Sequence, residues 1–92
     1  MAVDLQVEVV TQHGRYRLDM VLRGTRVAVE FDGLGKYPDH RALRAEKERE
    51  EDLHADGWYF VRFIWADLGR PTLIRDRLRQ GVRLAGATVE QL

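Results

Sequence analysis

The chain has no cysteine, which excludes disulfides and thiolate metal sites, so any metal must be held through oxygen or histidine. That usage fits a reducing compartment, and a cytoplasmic location is expected. Net charge is also absent: 15 basic residues balance 15 acidic ones, so the chain as a whole lacks the electrostatic footprint of a nucleic-acid binder. No apolar stretch approaches a membrane span, and Met1-Ala2-Val3-Asp4 lacks the basic and apolar regions of a signal peptide. The three histidines, His13, His40 and His54, are scattered and form no sequence-local zinc signature. With 92 residues there is material for one core only, so residues 1–92 are expected to form a single domain.

What is present is a globular composition, 45% apolar and 33% charged. Leu5, Val7 and Val9 alternate with Gln6, Glu8 and Val10, the period of a half-buried strand. After the turn Thr11-Gln12-His13-Gly14, Tyr16, Leu18, Met20 and Leu22 are expected on one face of a second strand, with Arg17, Asp19 and Val21 on the other. Val27, Val29 and Phe31 alternate with Ala28, Glu30 and Asp32 in a third. Between the last two, Arg23-Gly24-Thr25-Arg26 fits a two-residue type II′ hairpin loop with glycine at its first central position. In that register paired positions sum to 49, so Asp19 faces Glu30 and Arg17 faces Asp32.

Asp39, after Pro38, is placed to cap a helix that runs to about Asp56 and stops at Gly57. Its apolar stripe is interrupted by Glu46 and Glu50. Either the helix lies loosely on the surface, or those groups reach toward something polar at the sheet. Trp58 to Trp65 is apolar except for Arg62 and reads as a central strand covered on both faces, parallel to an earlier strand because it follows a helix. A second helix follows Pro71, with Leu73, Ile74, Leu78, Val82 and Leu84 near helical spacing, and residues 86–92 read as a frayed tail. The fold class is therefore α/β: a mixed four-stranded sheet with an antiparallel meander, a crossover helix, a final central strand and a C-terminal helix.

Like charges directly opposite each other destabilise a sheet, so the Asp19–Glu30 pair needs compensation. Two kinds fit. One is a divalent cation such as Mg²⁺, held by carboxylates, water and phosphate oxygens. The other is neutralisation by arginines such as Arg17, Arg26 or Arg62. Arginines are also grouped, with Arg15, Arg17, Arg23 and Arg26 on the hairpin and Arg70, Arg75, Arg77, Arg79 and Arg83 around the last helix, as a solvated surface or as a track for DNA.

Arg17-Leu18-Asp19, a hairpin and Val29-Glu30-Phe31-Asp32-Gly33 together resemble the Asp…Glu-x-Lys core of PD-(D/E)XK nucleases, nearest to the Vsr-like (very-short-patch-repair-like) branch. That branch includes uncharacterised bacterial domains, some fused to AbiEi-type antitoxin modules. Glu46 to Leu53, Gly57-Trp58 and Val61 to Trp65 extend the resemblance, which covers roughly Leu5 to Leu78. It implies a restriction-endonuclease-like core and a Mg²⁺- or Mn²⁺-dependent DNA endonuclease in which Asp19 and Glu30 hold the metal. Asp32 stands where the family has lysine, either as a third metal ligand or as a departure that weakens catalysis. Lys36, or Lys47 on the helix, is placed to supply the missing charge. Arg17, Tyr37, His40 and Lys47 are the candidates for binding substrate, and His40 also for activating water. The family's first helix has no counterpart in these residues, so either they are part of a longer protein, or a second copy (a homodimer) or a partner chain is expected in its place. The alternative function is a catalytically silent module of the same fold that binds nucleic acid or protein in a toxin–antitoxin or defence system.

Overall fold

Four apolar stretches of β-propensity and two amphipathic ones assemble into one mixed sheet with a helix on each face. The computed structural model describes residues 2–31 and 39–86. Strands β1 (Val3–Val10), β2 (Arg15–Leu22) and β3 (Val27–Phe31) form an antiparallel meander, helix α1 (His40–Ala55) crosses over, and β4 (Tyr59–Phe63) returns parallel to β3. A short 3₁₀ turn, Trp65–Gly69, leads into helix α2 (Pro71–Gly86). The strand order is β1-β2-β3-β4. No helix of the described residues is long and apolar enough to cross a membrane.

The expected register holds: Met20 pairs with Val29 and Val21 with Ala28. The turn that sets it is different. The amide of Thr25 donates to the carbonyl of Leu22 at 3.1 Å, so the turn spans Leu22–Thr25 with Gly24 at its third position, where φ is +81°. Glycine adopts that left-handed conformation at no steric cost. The Thr25 hydroxyl then donates to the Leu22 carbonyl at 2.8 Å and accepts from the Val27 amide at 3.1 Å. A four-residue loop closed on Leu22 and Val27 has the same pairing sum as the two-residue loop the sequence suggested.

Strict alternation fails in β1 and β2. Val7, Val9, Tyr16 and Leu18 pack with Val21 and Ala28 on the α1 face, whereas Met20 and Leu22 pack with Val27 and Val29 on the α2 face. The side-chain phase thus breaks between Leu18 and Met20. The ladder between β1 and β2 skips one rung there, Gln6 opposite Asp19, and Gln6 has φ of +53°. A left-handed residue rotates the strand out of its two-residue period, and the break lets Leu18 and Val21 both reach the same core.

β4 is an edge strand, bonded to β3 alone, where the sequence suggested a central one. Its pattern misleads because α2 buries Val61 and Phe63 on one face, while Phe60 and Arg62 on the face toward α1 stay partly exposed. The apolar run also overshoots the strand: Ile64 and Trp65 are exposed, and Trp65 stacks on Phe31 at 5.3 Å. The turn that follows is held by Asp67, which accepts from the Ile64 amide at 2.9 Å and meets Arg77 at 3.5 Å.

α1 begins where expected, with the Asp39 carboxylate accepting from the Ala42 amide at 2.8 Å, and ends at Gly57, whose φ is +93°. Leu53 is its one buried residue. α2 buries Gly81 and leans Ile74, Leu78, Val82 and Ala85 on the sheet, while Leu84 faces solvent. Helix α2 continues through Gly86; the tail expected at 86–92 otherwise lies outside the described residues, as do Asp32 at the expected end of β3 and the glycine-rich exit after it.

Candidate functional site

The β2–β3 ladder ends at Met20 and Val29, and Asp19 and Glu30 are the next residues on each strand. Asp19 is exposed and makes no hydrogen bond or ion pair among the described residues. Glu30 is different. Its side chain is 13% exposed and both of its oxygens meet guanidinium groups: Oε2 accepts from Arg49 at 2.8 Å, and Oε1 lies 3.5 Å from Arg62.

The arginines come from two elements. Arg62 is the β4 residue paired with Glu30 across the parallel ladder, so the two side chains emerge on the same face. Arg49 comes down from α1, where it also donates to Glu46 at 2.7 Å, while Arg62 donates to Glu50 at 2.9 Å. Both guanidiniums lie over the Phe60 ring, 5.8 and 5.0 Å from its centroid. Of the two acids that interrupt the apolar stripe of α1, Glu50 reaches a polar group at the sheet, whereas Glu46 meets Arg49 of its own helix. Burial pulls the Arg49 guanidinium down, but hydrogen bonding and charge from Glu30, then Glu46, outweigh it and hold Arg49 above its usual value. A network of this kind fixes how α1 sits, because moving any one member strands another half-buried charge.

Of the two other arginines considered as counterions, Arg26 turns to Asp56, donating to its carbonyl and lying 3.5 Å from its carboxylate. Arg17 is exposed and pairs in the β1–β2 ladder with Glu8. His40 is the exposed first residue of α1. Lys47 is exposed and, with Glu50, Glu51, His54, Phe60 and Arg62, lines an open groove of about 600 Å³ between α1 and β4. Asp32, Lys36 and Tyr37 lie outside the described residues. Among the described residues no cluster of three or more His, Asp or Glu is arranged to hold a metal ion.

A second polar cluster was not legible beforehand. Thr11 and Tyr16 hydroxyls both donate to Oδ2 of Asp52, each at 2.6 Å, tying the β1–β2 turn to the last part of α1. The Thr11 bond first, then the Tyr16 bond, holds the Asp52 carboxyl below its ordinary value, and the same interaction pushes the Tyr16 phenol up. A depressed folded-state value means the stability from this carboxylate is complete above its unfolded value and disappears as pH falls through the folded one. Between about pH 5 and about pH 2 the melting temperature of the wild type should therefore fall more steeply than that of Asp52→Asn. Parallel curves would show that the carboxylate contributes nothing to acid sensitivity.

No protein-family model, curated protein or solved structure matches the chain.

Proposed function

We propose that this chain is a metal-dependent DNA endonuclease domain of the Vsr-like PD-(D/E)XK type, acting in the cytoplasm. The observation that carries the reading is that Asp19 and Glu30 are the residues next beyond the last pair of the antiparallel β2–β3 ladder, with Asp19 open to solvent. The meander, crossover helix and parallel last strand support it, being the arrangement that the sequence resemblance implies.

The described carboxylates fit a cation in part: Asp19 has free oxygens, whereas Glu30 shares both of its own with arginines. Asp19 and Glu30 would hold Mg²⁺ or Mn²⁺, with Asp32 as the further candidate. The ion supplies a polarised phosphoryl oxygen and a bound water of lowered pKa. Lys47, exposed on the rim of the α1–β4 groove beside Glu50 and Glu51, is the candidate to meet a substrate phosphate there. Incubated with supercoiled plasmid and Mg²⁺ or Mn²⁺, the wild type should nick it and Asp19→Asn should not. Undiminished cleavage by Asp19→Asn would remove the assignment.

One observation favours a second reading, a catalytically silent module of the same fold that binds nucleic acid or protein in a toxin–antitoxin or defence system. Glu30 is already compensated by Arg49 and Arg62, so the sheet needs no metal to relieve repulsion. A working site is stabilised by its ion; under the second reading Mg²⁺ and Mn²⁺ leave the melting temperature unchanged. A second copy or a partner chain is then proposed over the open face of β1, where Val3 and Leu5 are 42% and 67% exposed, and sedimentation at several concentrations reads the dimer directly.

A further inference from the structure

The net neutrality of the chain conceals a local imbalance. Helix α2 carries Arg75, Arg77, Arg79 and Arg83 against the single acid Asp76. Arg77 is used at Asp67 and over the Phe63 ring. Arg75, Arg79 and Arg83 recur every fourth residue, so they form a row along one side of the helix. All three are exposed, and none has a hydrogen bond or ion pair among the described residues.

Beside the end of this row lies a groove of about 470 Å³ between α2 and the β2–β3 turn, bordered by Arg79, Arg83, Arg23 and Thr25 with Leu22 and Val82 as its apolar floor. Arg23 is fixed in place by Asp4, whose Oδ1 accepts from its Nε at 3.0 Å and from its Nη2 at 2.8 Å. That leaves the other terminal nitrogen of the fork for a ligand. Leu22 and Val82 belong to the core on the α2 face, whereas Glu30 meets α1 on the opposite face. The groove is therefore separate from the carboxylates.

We propose that this groove, with the arginine row leading to it, is a docking surface for a nucleic-acid backbone, whose phosphates meet Arg79, Arg83 and Arg23 while its sugars lie on Val82 above the buried Leu22. Three features select that partner. Every cation here is arginine, whose planar fork takes phosphate oxygens in pairs. The cations form a row, which suits a linear polyanion better than an isolated phosphate. The floor is apolar and open, which accepts sugar and base edges that a carboxylate-rich peptide does not offer. The surface stands whether or not Asp19 and Glu30 cut what it holds.

The test is anisotropy of a fluorescein-labelled oligonucleotide, single-stranded and duplex, with EDTA present so that no cleavage enters. Replacing Arg79 and Arg83 together by Glu should weaken binding roughly tenfold or more and lower the salt slope by about two, one for each phosphate no longer neutralised. Arg44→Glu, at an exposed position of α1, serves as the control and should change affinity by less than about twofold. Arg79→Gln with Arg83→Gln repeats the test without reversing charge, and the melting temperatures show that each variant is folded. Three results would overturn the proposal: no binding by the wild type, equal weakening by the Arg44 control, or equally tight binding of a poly-glutamate peptide. Asp19→Asn should bind as the wild type does, so failure of the nuclease reading and failure of this one are seen separately.

Discussion

Gly81→Leu is expected to destabilise the fold by about 3 kcal/mol or more, the upper end of what overpacking costs. Gly81 is buried in the middle of α2, where the helix approaches the sheet most closely. A Cβ there would lie 2.5 Å from Cγ2 of Val61, 3.6 Å from Cγ1 of Val27 and 3.7 Å from Cδ1 of Tyr59. Val61 stands between α2 and β3, so it has little room to yield. Against this stands the intrinsic gain of about 0.5–1 kcal/mol for alanine over glycine within a helix. Gly81→Ala already brings the Cβ that meets Val61, so after that gain it should still lose about 1–2 kcal/mol. Leucine brings three more carbons into the same space. In a domain of this size, whose total stability lies toward the lower end of about 5–15 kcal/mol, the leucine variant should lose most of its cooperative urea transition. Gly69→Ala is the control, since nothing lies within 4 Å of its Cβ position. An unchanged urea midpoint for Gly81→Leu would mean that α2 does not pack on β4 as described.

The second large effect is expected at Glu30. Replacing it by Ala removes the acceptor shared by Arg49 and Arg62, two half-buried guanidiniums that keep their contacts with Glu46 and Glu50. Breaking a fully buried ion pair costs about 3–5 kcal/mol. Here the arginine side chains keep 20% and 30% of their exposure, so water offsets part of the loss and about 2 kcal/mol is expected. Glu30→Gln keeps an acceptor for one guanidinium and should cost less than Glu30→Ala. Arg49→Met should release one Glu30 oxygen and, under the nuclease reading, increase the thermal shift produced by Mn²⁺. Should Glu30→Ala melt as the wild type does, the network would be a surface ornament and α1 would be held by Leu53 and the Asp52 cluster alone.

The sequence carried the parts of this architecture that depend on local physics. Apolar spacing located every strand and both helices, Asp39 and Gly57 marked the ends of α1, and the hairpin register was right. The parts that depend on distant partners were not readable. The turn at Gly24 is set by the hydroxyl of Thr25, which offers several equivalent local bonding patterns until the strands are fixed. β4 looked central because it is apolar on both faces: α2 buries Val61 and Phe63, and Phe60 on the other face lies under Arg49 and Arg62. The phase break at Gln6 and Asp19 has no local signature, since neither residue demands a left-handed backbone. At the candidate site, the sequence named Arg62 as a counterion of the carboxylates, and Arg62 does meet Glu30. Arg49 was missed, although its place three residues after Glu46 on α1 was the available signal. The cluster of Thr11, Tyr16 and Asp52 joins residues 36 and 41 positions apart, a link that periodicity cannot supply.

β1 is the outer strand of the sheet, and its free side is a row of backbone donors and acceptors of the kind on which other chains can grow. The left-handed residue at its middle divides that row into two short lengths, Val3 to Leu5 and Val7 to Val10, whose apolar side chains point to opposite faces. A foreign strand that pairs with one length in register presents its own apolar residues to the wrong side of the other. The kink opposite Asp19 therefore also guards the molecule against stacking edge to edge into extended aggregates, at the strand where Leu5 and Val10 leave it most open to them.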